Sequence, residues 1–204
     1  MFKSLYLLRH GRTQANVERR FVGQSDSDLA DLAYPTIESI AEELRKVHFD
    51  FFYISPIGRC QKSFQLLGLT NIDSVVTEAR LRESDNGDYE GFLPSELPAD
   101  FVRRLIRSPY ITVFPGGESY EIMDRRVLEF WNEQMPKWEG KTVGILSHWG
   151  PNSCIAAQIM GWDWERRGRW YQPNNIVYKI EDGKMSFRPF GECGWYEGLS
   201  VTRR

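Results

Sequence analysis

The stretch Leu5-Tyr6-Leu7-Leu8-Arg9-His10-Gly11, near the start of the chain, decides the fold. Its first four residues form a short, continuously apolar run, which is typical of a strand buried on both faces. The run then changes at once to a charged residue, a histidine and a glycine. Because a strand buried on both faces needs a layer of helices on each side, this stretch predicts an α/β protein.

Two later stretches repeat the pattern of a buried strand that ends in polar residues. Residues 51–54 (Phe-Phe-Tyr-Ile) are followed by Ser55, and residues 143–146 (Val-Gly-Ile-Leu) are followed by Ser147 and His148. Apolar residues at helical spacing predict three helices. The first begins at Pro35, the second runs from 118 to about 135, and the third, at 155–160, follows the third strand.

This alternation of strands and helices predicts a three-layer αβα sandwich with a mostly parallel central sheet. Residues 176–187 contain an Asp-Gly turn between two apolar segments, which predicts a hairpin added late in the chain. The length of 204 residues favours one domain, 1–204. Within it, the proline-rich segment of about 92–117, with a short helix near 101–106, predicts a small helical cap insertion over the site.

The bulk composition excludes several classes of protein. A net charge of only -2 gives no indication of nucleic acid or an anionic membrane as a partner. No stretch approaches the roughly 20 apolar residues of a membrane helix, and the N-terminus does not resemble a signal peptide. Cys60, Cys154 and Cys193 are few, odd in number and far apart, which favours a reducing compartment. We therefore expect a cytoplasmic protein.

Two of the three histidines follow predicted buried strands, at the edge of the sheet where ligands of α/β proteins bind. A single histidine in such a place more often has only a structural role. Arg9 beside His10, and the second strand-end histidine at position 148, favour a site that binds phosphate. His48 lies beyond a predicted helix, and we expect it to be a surface residue.

The surrounding residues resemble the signature blocks of the phosphoglycerate mutase-like histidine phosphatases, branch 1 of the histidine phosphatase superfamily. Residues 9–16 read Arg-His-Gly-Arg-Thr-Gln-Ala-Asn, and residues 55–59 read Ser-Pro-Ile-Gly-Arg. Residues 81–91 contain Leu-Arg-Glu and end in Tyr-Glu-Gly, 115–119 read Pro-Gly-Gly-Glu-Ser, and 146–148 read Leu-Ser-His. The blocks occur in the order and at the spacing of the family.

The resemblance implies a metal-independent phosphatase in which His10 attacks phosphorus and forms a phosphohistidine. It makes Arg9 and Arg59 ligands of the phosphate, and a guanidinium offers planar, paired donors for that purpose. Glu83 would protonate the leaving oxygen, for which it must first carry a proton; burial or the neighbouring Asp85 would favour that form. His148, if protonated, would add positive charge. We expect no cofactor and no metal.

A second set of residues is expected to contact the substrate. It consists of Arg9, Gly11, Asn16, Gly23, Arg59 and Trp149. Trp149 departs from the His-Gly pair that is usual in the family. Its indole could narrow the pocket or stack on a substrate, and core packing is a slightly better interpretation. Five arginines could line the mouth or form a solvated surface: Arg19, Arg20, Arg103, Arg104 and Arg107.

The leading hypothesis is a phosphomonoester hydrolase that acts on a small phosphorylated metabolite. Cofactor-dependent phosphoglycerate mutases share the same blocks, but they usually have a longer insertion and His-Gly-Asn at the last histidine. The compact cap and the sequence His-Trp-Gly at 148–150 favour hydrolysis. The third hypothesis is a non-catalytic protein that binds a phosphorylated ligand. The oligomeric state, including a homodimer, stays open.

Overall fold

A seven-stranded mixed sheet forms the centre of the protein. The computed structural model describes residues 1–189, 192 and 194–199, so that Cys193 lies outside the described residues. The strands are β1 (Ser4–Arg9), β2 (Phe49–Ile54), β3 (Ile72–Thr77), β4 (Thr142–Ser147), β5 (Ile176–Glu181), β6 (Lys184–Pro189) and β7 (Tyr196–Glu197). Their order is β3-β2-β4-β1-β5-β6-β7. The first four in this order are parallel, and the remaining pairings are antiparallel.

Helices cover the sheet on both faces. The α-helices of the described residues are α1 (Gln14–Glu18), α2 (Ala33–Leu44), α3 (Gly58–Leu67), α4 (Ala99–Arg107), α5 (Tyr120–Gln134), α6 (Trp149–Met160) and α7 (Trp164–Arg169). Short 3-10 helices span Ala79–Leu81, Gly87–Tyr89, Pro94–Glu96 and Met135–Trp138. The α/β fold with a parallel central region is confirmed. The predicted hairpin is β5–β6, and it belongs to the main sheet because β5 pairs with β1.

The alternation of side chains along β1 divides the core into two layers. Leu5 and Leu7 belong to one apolar cluster, which includes residues of α5 and α6. Tyr6 and Leu8 belong to the other, which includes residues of α2. Because both faces of the strand are buried, all four positions must be apolar, and this explains the continuous apolar run in the sequence.

The sequence patterns missed β3 and α3. β3 is the edge strand next to β2, and most of its residues are exposed, so its sequence has no continuous apolar run. Helix α3 carries polar residues over most of its length and buries Arg59, Cys60, Ser63 and Leu67. Its buried face therefore includes polar residues, which an apolar pattern does not detect.

The proline-rich segment 92–117 contains the Pro94–Glu96 turn and α4. It has a small apolar cluster of its own, formed by Leu97, Phe101 and Phe114, against which Phe21 and Tyr89 pack. In the part of the chain that the structure describes, no helix combines the length and apolar character needed to cross a bilayer.

Candidate active site

The sheet topology brings the polar strand ends together. β1 and β2 both pair in parallel with β4, so the residues that follow these three strands lie at one edge of the sheet. His10 and His148 lie there with ring centroids 5.1 Å apart. Both histidines are buried, His10 with 3% and His148 with 0% of its surface exposed.

The two ring nitrogens of His10 have partners of opposite character. Nδ1 lies 2.8 Å from the carbonyl oxygen of Gly11, which can only accept a hydrogen bond. Nε2 lies 3.2 Å from Nε of Arg59, which can only donate. The proton of the neutral ring is therefore on Nδ1, and the lone pair on Nε2 is directed towards Arg59. Nε2 is the nitrogen that can act as a nucleophile.

His148 has the opposite tautomer. Nη2 of Arg59 donates to Nδ1 of His148 at 3.1 Å, so the ring proton is on Nε2, which donates to Oγ of Ser55 at 2.8 Å. Burial first, and then the nearby charge of Arg59, lower the pKa of His148 well below its usual value. The ring is neutral in this structure. The positive charge of the site comes from the arginines, not from a protonated His148.

Burial and the same charges also keep His10 neutral. Desolvation is the largest cause that holds the pKa of His10 well below its usual value, followed by the charges of Arg59 and Arg9. A neutral imidazole has the lone pair that attack on phosphorus requires.

Arg59 is fixed by carbonyl oxygens from a neighbouring loop. Nη1 donates to the carbonyl of Ser25 at 2.7 Å, and Nη2 donates to the carbonyl of Gly23 at 2.6 Å. The carboxylate of Asp26 accepts a hydrogen bond from the backbone N–H of Arg59 at 3.1 Å, at the start of α3. These contacts hold the buried guanidinium against both histidines.

Arg9 retains an unused donor. Its Nη1 donates to the hydroxyl of Tyr171 at 3.0 Å and to the carbonyl of Gln172 at 2.8 Å. Its Nε is buried and has no hydrogen-bond partner among the described residues. A buried donor without a partner is costly, and a phosphate oxygen would satisfy it.

Glu83 lies on the loop that follows the Ala79–Leu81 turn, next to the start of α6. One carboxylate oxygen accepts from the backbone N–H of Ser84 at 3.0 Å, and the other from that of Gly150 at 3.3 Å. A Cβ at position 150 would overlap the Glu83 carboxylate, so this close approach requires glycine. The carboxylate of Asp85 accepts a hydrogen bond from the backbone N–H of Gly87, and its effect on Glu83 stays a prediction.

The loop that carries Glu83 is held by Arg126, together with Glu118 of the 115–119 block. Nη1 of Arg126 donates to the carbonyls of Arg80 and Arg82, both at 2.7 Å, and Nη2 donates to that of Glu83 at 2.8 Å. Both carboxylate oxygens of Glu118 accept from Arg126, at 2.8 and 3.0 Å. Arg126 lies within the predicted helix, but no local pattern connects it to a loop more than 40 residues earlier.

Two further polar side chains organise the His10 segment without a signal in the sequence. Oγ of Ser63 accepts from the backbone N–H of Gly11 at 2.8 Å and donates to the carbonyl of Arg59 at 2.7 Å. Nδ2 of Asn174 donates to the carbonyl of His10 at 2.8 Å. These contacts fix the main chain around His10.

Three of the expected substrate contacts have partners within the protein. The N–H of Gly11 donates to Ser63, and that of Gly23 donates to Glu90. Oδ1 of Asn16 accepts from the backbone N–H of Thr13 at the start of α1, although Asn16 also lines the cavity described next. Contact of these residues with substrate stays a prediction.

A cavity of about 680 Å³ opens next to Arg9 and Glu83, and we call it the substrate cavity. Five of its lining residues are aromatic: Phe21, Phe114, Tyr120, Trp149 and Trp164. Arg20, one of the five arginines that could line the mouth of the site, also lines this cavity. Arg103, Arg104 and Arg107 are exposed on α4 and do not line it.

His48 is exposed, as expected, at the amino end of β2, away from the strand ends that carry His10 and His148. With Asp50 and Asp73 it forms a group whose ligand-type atoms lie within 4.8 Å of one another. The sequence showed no such cluster, because Asp73 comes from the unpredicted β3. Asp50 is already held by Nζ of Lys141 and the backbone N–H of Thr142, both at 2.8 Å.

Cysteine chemistry has no support at the site. Cys60 is buried beside His148, with its Sγ 3.5 Å from Nε2. Burial raises the pKa of its thiol to about 12, so the thiol stays protonated at neutral pH.

Comparison with known proteins agrees with the geometry. Residues 5–188 match the family model described as histidine phosphatase superfamily (branch 1). Phosphoserine phosphatase 1 of Hydrogenobacter thermophilus is 31% identical over 164 residues, which cover 78% of this chain and 77% of the relative. A probable phosphoglycerate mutase, GpmB, of Enterobacter sp. is 29% identical over 160 residues, covering 77% of this chain and 74% of the relative.

Solved structures show the same fold. The crystal structure of the alpha-ribazole phosphatase from Shigella flexneri superposes with a TM-score of 0.81 at 21% sequence identity. The superposition covers 98% of this chain and 96% of that chain.

Proposed function

The chain belongs to the histidine phosphatase superfamily (branch 1), and from this premise we propose that it hydrolyses phosphate monoesters through a phosphohistidine at His10. The observation that carries the proposal is the unprotonated Nε2 of His10, held beside the guanidinium of Arg59 at 3.2 Å. Nε2 provides a nucleophile, and the guanidinium provides charge for the phosphoryl oxygens that the nucleophile would approach.

The proposed reaction has two steps. In the first, Nε2 of His10 bonds to phosphorus, the bond from phosphorus to the leaving oxygen breaks, and Glu83 gives that oxygen its proton. In the second, water attacks phosphorus, the phosphorus–nitrogen bond breaks, and Glu83 takes a proton from the water. Arg9 and Arg59 stabilise the charge on the phosphoryl oxygens in both steps.

The proposed substrate is a small phosphorylated metabolite. Support comes from the relatives, whose names refer to phosphoserine and alpha-ribazole phosphatases. The cavity next to Arg9 and Glu83 has the size of a small-molecule site. The proposed location is the cytoplasm, which the two buried, free cysteines Cys60 and Cys154 support.

The central test is a His10→Ala variant, with His48→Ala as the matched control because His48 is exposed at the opposite edge of the sheet. Wild type and His48→Ala should release phosphate from a panel of metabolites and carry acid-labile phosphate during turnover, with or without a chelator. His10→Ala should lack both properties. Full turnover by His10→Ala would refute the mechanism. Tight binding of phosphorylated ligands without any turnover by wild type would indicate a binding protein.

The similarity to a probable phosphoglycerate mutase keeps a second candidate function open. A mutase would interconvert phosphoglycerates only when primed by a bisphosphate, whereas a phosphatase would release inorganic phosphate without a primer. The sequence His-Trp-Gly at 148–150 and the short cap favour the phosphatase. Primer-dependent isomerisation without release of phosphate would reverse this choice.

A further inference from the structure

The wall of the substrate cavity contains a rigid aromatic group next to the proposed proton donor. Trp149 directly follows His148, and the N–H of the next residue, Gly150, contacts the Glu83 carboxylate at 3.3 Å. Because the proton donor must touch the leaving oxygen, the group attached to that oxygen enters the part of the cavity that Glu83 and Trp149 both line.

The indole of Trp149 is held in place before any substrate binds. Its Nε1 donates to the carbonyl of Trp170 at 3.1 Å, and the ring of Tyr120 meets it edge-on at a centroid distance of 6.0 Å. Tyr120 in turn contacts the ring of Trp164 at 5.5 Å. A pre-positioned ring loses little conformational entropy when a ligand packs on it.

A second group of rings lines the same cavity from another part of the chain. Phe21 and Phe114 pack against each other at 5.9 Å between centroids, and they belong to the apolar cluster of the cap. Rings from two separate segments therefore border the space in which the leaving group lies.

Two arginines of the cavity, Arg20 and Arg169, have acidic neighbours, which weakens their attraction for an anionic leaving group. Arg20 is paired with Glu18 at 2.7 Å and also donates to the carbonyl of Gly91 at 2.8 Å. Arg169 lines the cavity together with Glu165, which lies one turn earlier on α7 and carries the opposite charge. The lining therefore combines polar groups with the aromatic surface around Trp149.

From these contacts we infer that the alcohol released by this enzyme carries a flat aromatic or heteroaromatic ring, which packs on Trp149 and its neighbouring rings. This inference rests on the proposed hydrolase activity and adds the substrate class to it. An aryl-substituted alkyl phosphate and a nucleoside monophosphate share the required chemistry, since each carries a planar ring on the leaving alcohol.

The test compares alkyl phosphates whose leaving alcohols have similar basicity. Phenethyl phosphate should have a kcat/KM about 5- to 10-fold above that of cyclohexylethyl phosphate, which is at least as apolar but not flat. Propyl phosphate should be poorer than both. Adenosine monophosphate, as a further arm, shows whether the ring must be carried by a sugar. Equal rates for phenethyl and cyclohexylethyl phosphate would overturn the inference and leave the hydrolase proposal intact.

Substitutions of the cavity tryptophans show which ring causes the preference for phenethyl phosphate. Trp149→Leu should reduce the phenethyl-to-cyclohexylethyl ratio to about 1–2, and Trp149→Phe should restore most of it. Trp164→Leu provides a second variant in case Trp149→Leu does not fold. Trp195→Leu is the matched control, because Trp195 is 38% exposed and does not line the cavity, and the ratio should not change. A ratio that survives both cavity variants would refute the assignment.

Binding measurements separate this inference from the proposed activity. Phenethylphosphonate, which cannot be hydrolysed, should bind wild type about 5- to 10-fold more tightly than cyclohexylethylphosphonate in calorimetry. If that preference is present but no ester is turned over, the ring site stands and the hydrolase proposal fails. If the esters are turned over but the two phosphonates bind equally well, the hydrolase proposal stands and the ring site is refuted.

Discussion

At the scale of single residues, the site depends on which nitrogen or oxygen each partner contacts. A carbonyl at Nδ1 of His10 and a guanidinium at Nε2 leave one tautomer, with the lone pair of Nε2 directed towards Arg59. His148 receives the same guanidinium on Nδ1 and has the other tautomer. One arginine thus orients two histidines, and it cannot lose its proton in doing so.

Glu83 should matter according to the basicity of the leaving group. A basic alkoxide needs a proton as it departs, so Glu83→Gln should slow an alkyl phosphate by about 10²–10⁴-fold. An aryl phosphate with a good leaving group should phosphorylate His10 at a rate that depends far less on Glu83. The measurement is rapid-mixing kinetics on both substrates, where the aryl ester should give a burst followed by slow turnover.

Asp88→Asn is the matched control for this prediction, since Asp88 is an exposed carboxylate on the same loop. Its rates should stay within about 2-fold of those of wild type. Equal slowing of both first steps by Glu83→Gln would mean that the proton donor is a different residue.

At the scale of elements, helix α5 positions the loop that carries Glu83, the proposed proton donor. Arg126 and Glu118 form an ion pair in which both side chains are more than four-fifths buried, and Arg126 binds three carbonyls of residues 80–83. A lysine has one ammonium and cannot make these paired contacts. We therefore expect Arg126 to act as a positioning residue, through Glu83.

Arg126→Lys should lower kcat for alkyl phosphates by about 10- to 100-fold, because a displacement of about 1 Å at the proton donor is costly. KM should change little, since Arg9 and Arg59 still bind the phosphate. The loss in kcat should be smaller for an aryl phosphate, as it should be for Glu83→Gln. Arg125→Lys, an exposed neighbour on the same helix, is the control. A defect that is equal on both substrates would indicate general loss of structure.

At the scale of the whole molecule, burial of two neutral histidines affects stability. Burial holds the pKa of both His10 and His148 well below 6.5 in the folded state. The unfolded chain therefore takes up these protons first as the pH falls. The free energy of unfolding should decrease below about pH 6.5, by up to about 1.4 kcal/mol per pH unit for each histidine.

Urea unfolding measured between pH 8 and pH 5.5 checks this prediction. His48 contributes to stability with the opposite sign. The hydrogen bond that its Nδ1 donates to Oδ1 of Asn71 and the charge of Asp73 raise the pKa of His48, so its protonation adds stability as the pH falls. His48→Gln should therefore make the loss of stability at low pH steeper. His10→Gln should make it shallower. A free energy of unfolding that stays constant from pH 7 to pH 5.5 would contradict the neutral, buried state of the two histidines.

The sequence by itself determined the α/β class, the strands β1, β2 and β4, and the placement of the two strand-end histidines at one edge of the sheet. The reason is physical: a strand buried on both faces must be apolar throughout, and parallel strands place the residues that follow them at one edge. His10 and His148 were predictable for that reason. Arg59 and Glu83 needed the resemblance to the family, because neither has a local signal of its own.

Tertiary structure alone decided the rest. The tautomers of the two histidines, the contacts of Arg126 and the aromatic lining around Trp149 depend on residues that are far apart in the chain. The edge strand β3 has too little buried surface to show an apolar run, and its Asp73 reaches His48 only through the pairing of β2 with β3. Local patterns report burial and spacing along the chain. They cannot report which distant side chain satisfies a donor or borders a cavity.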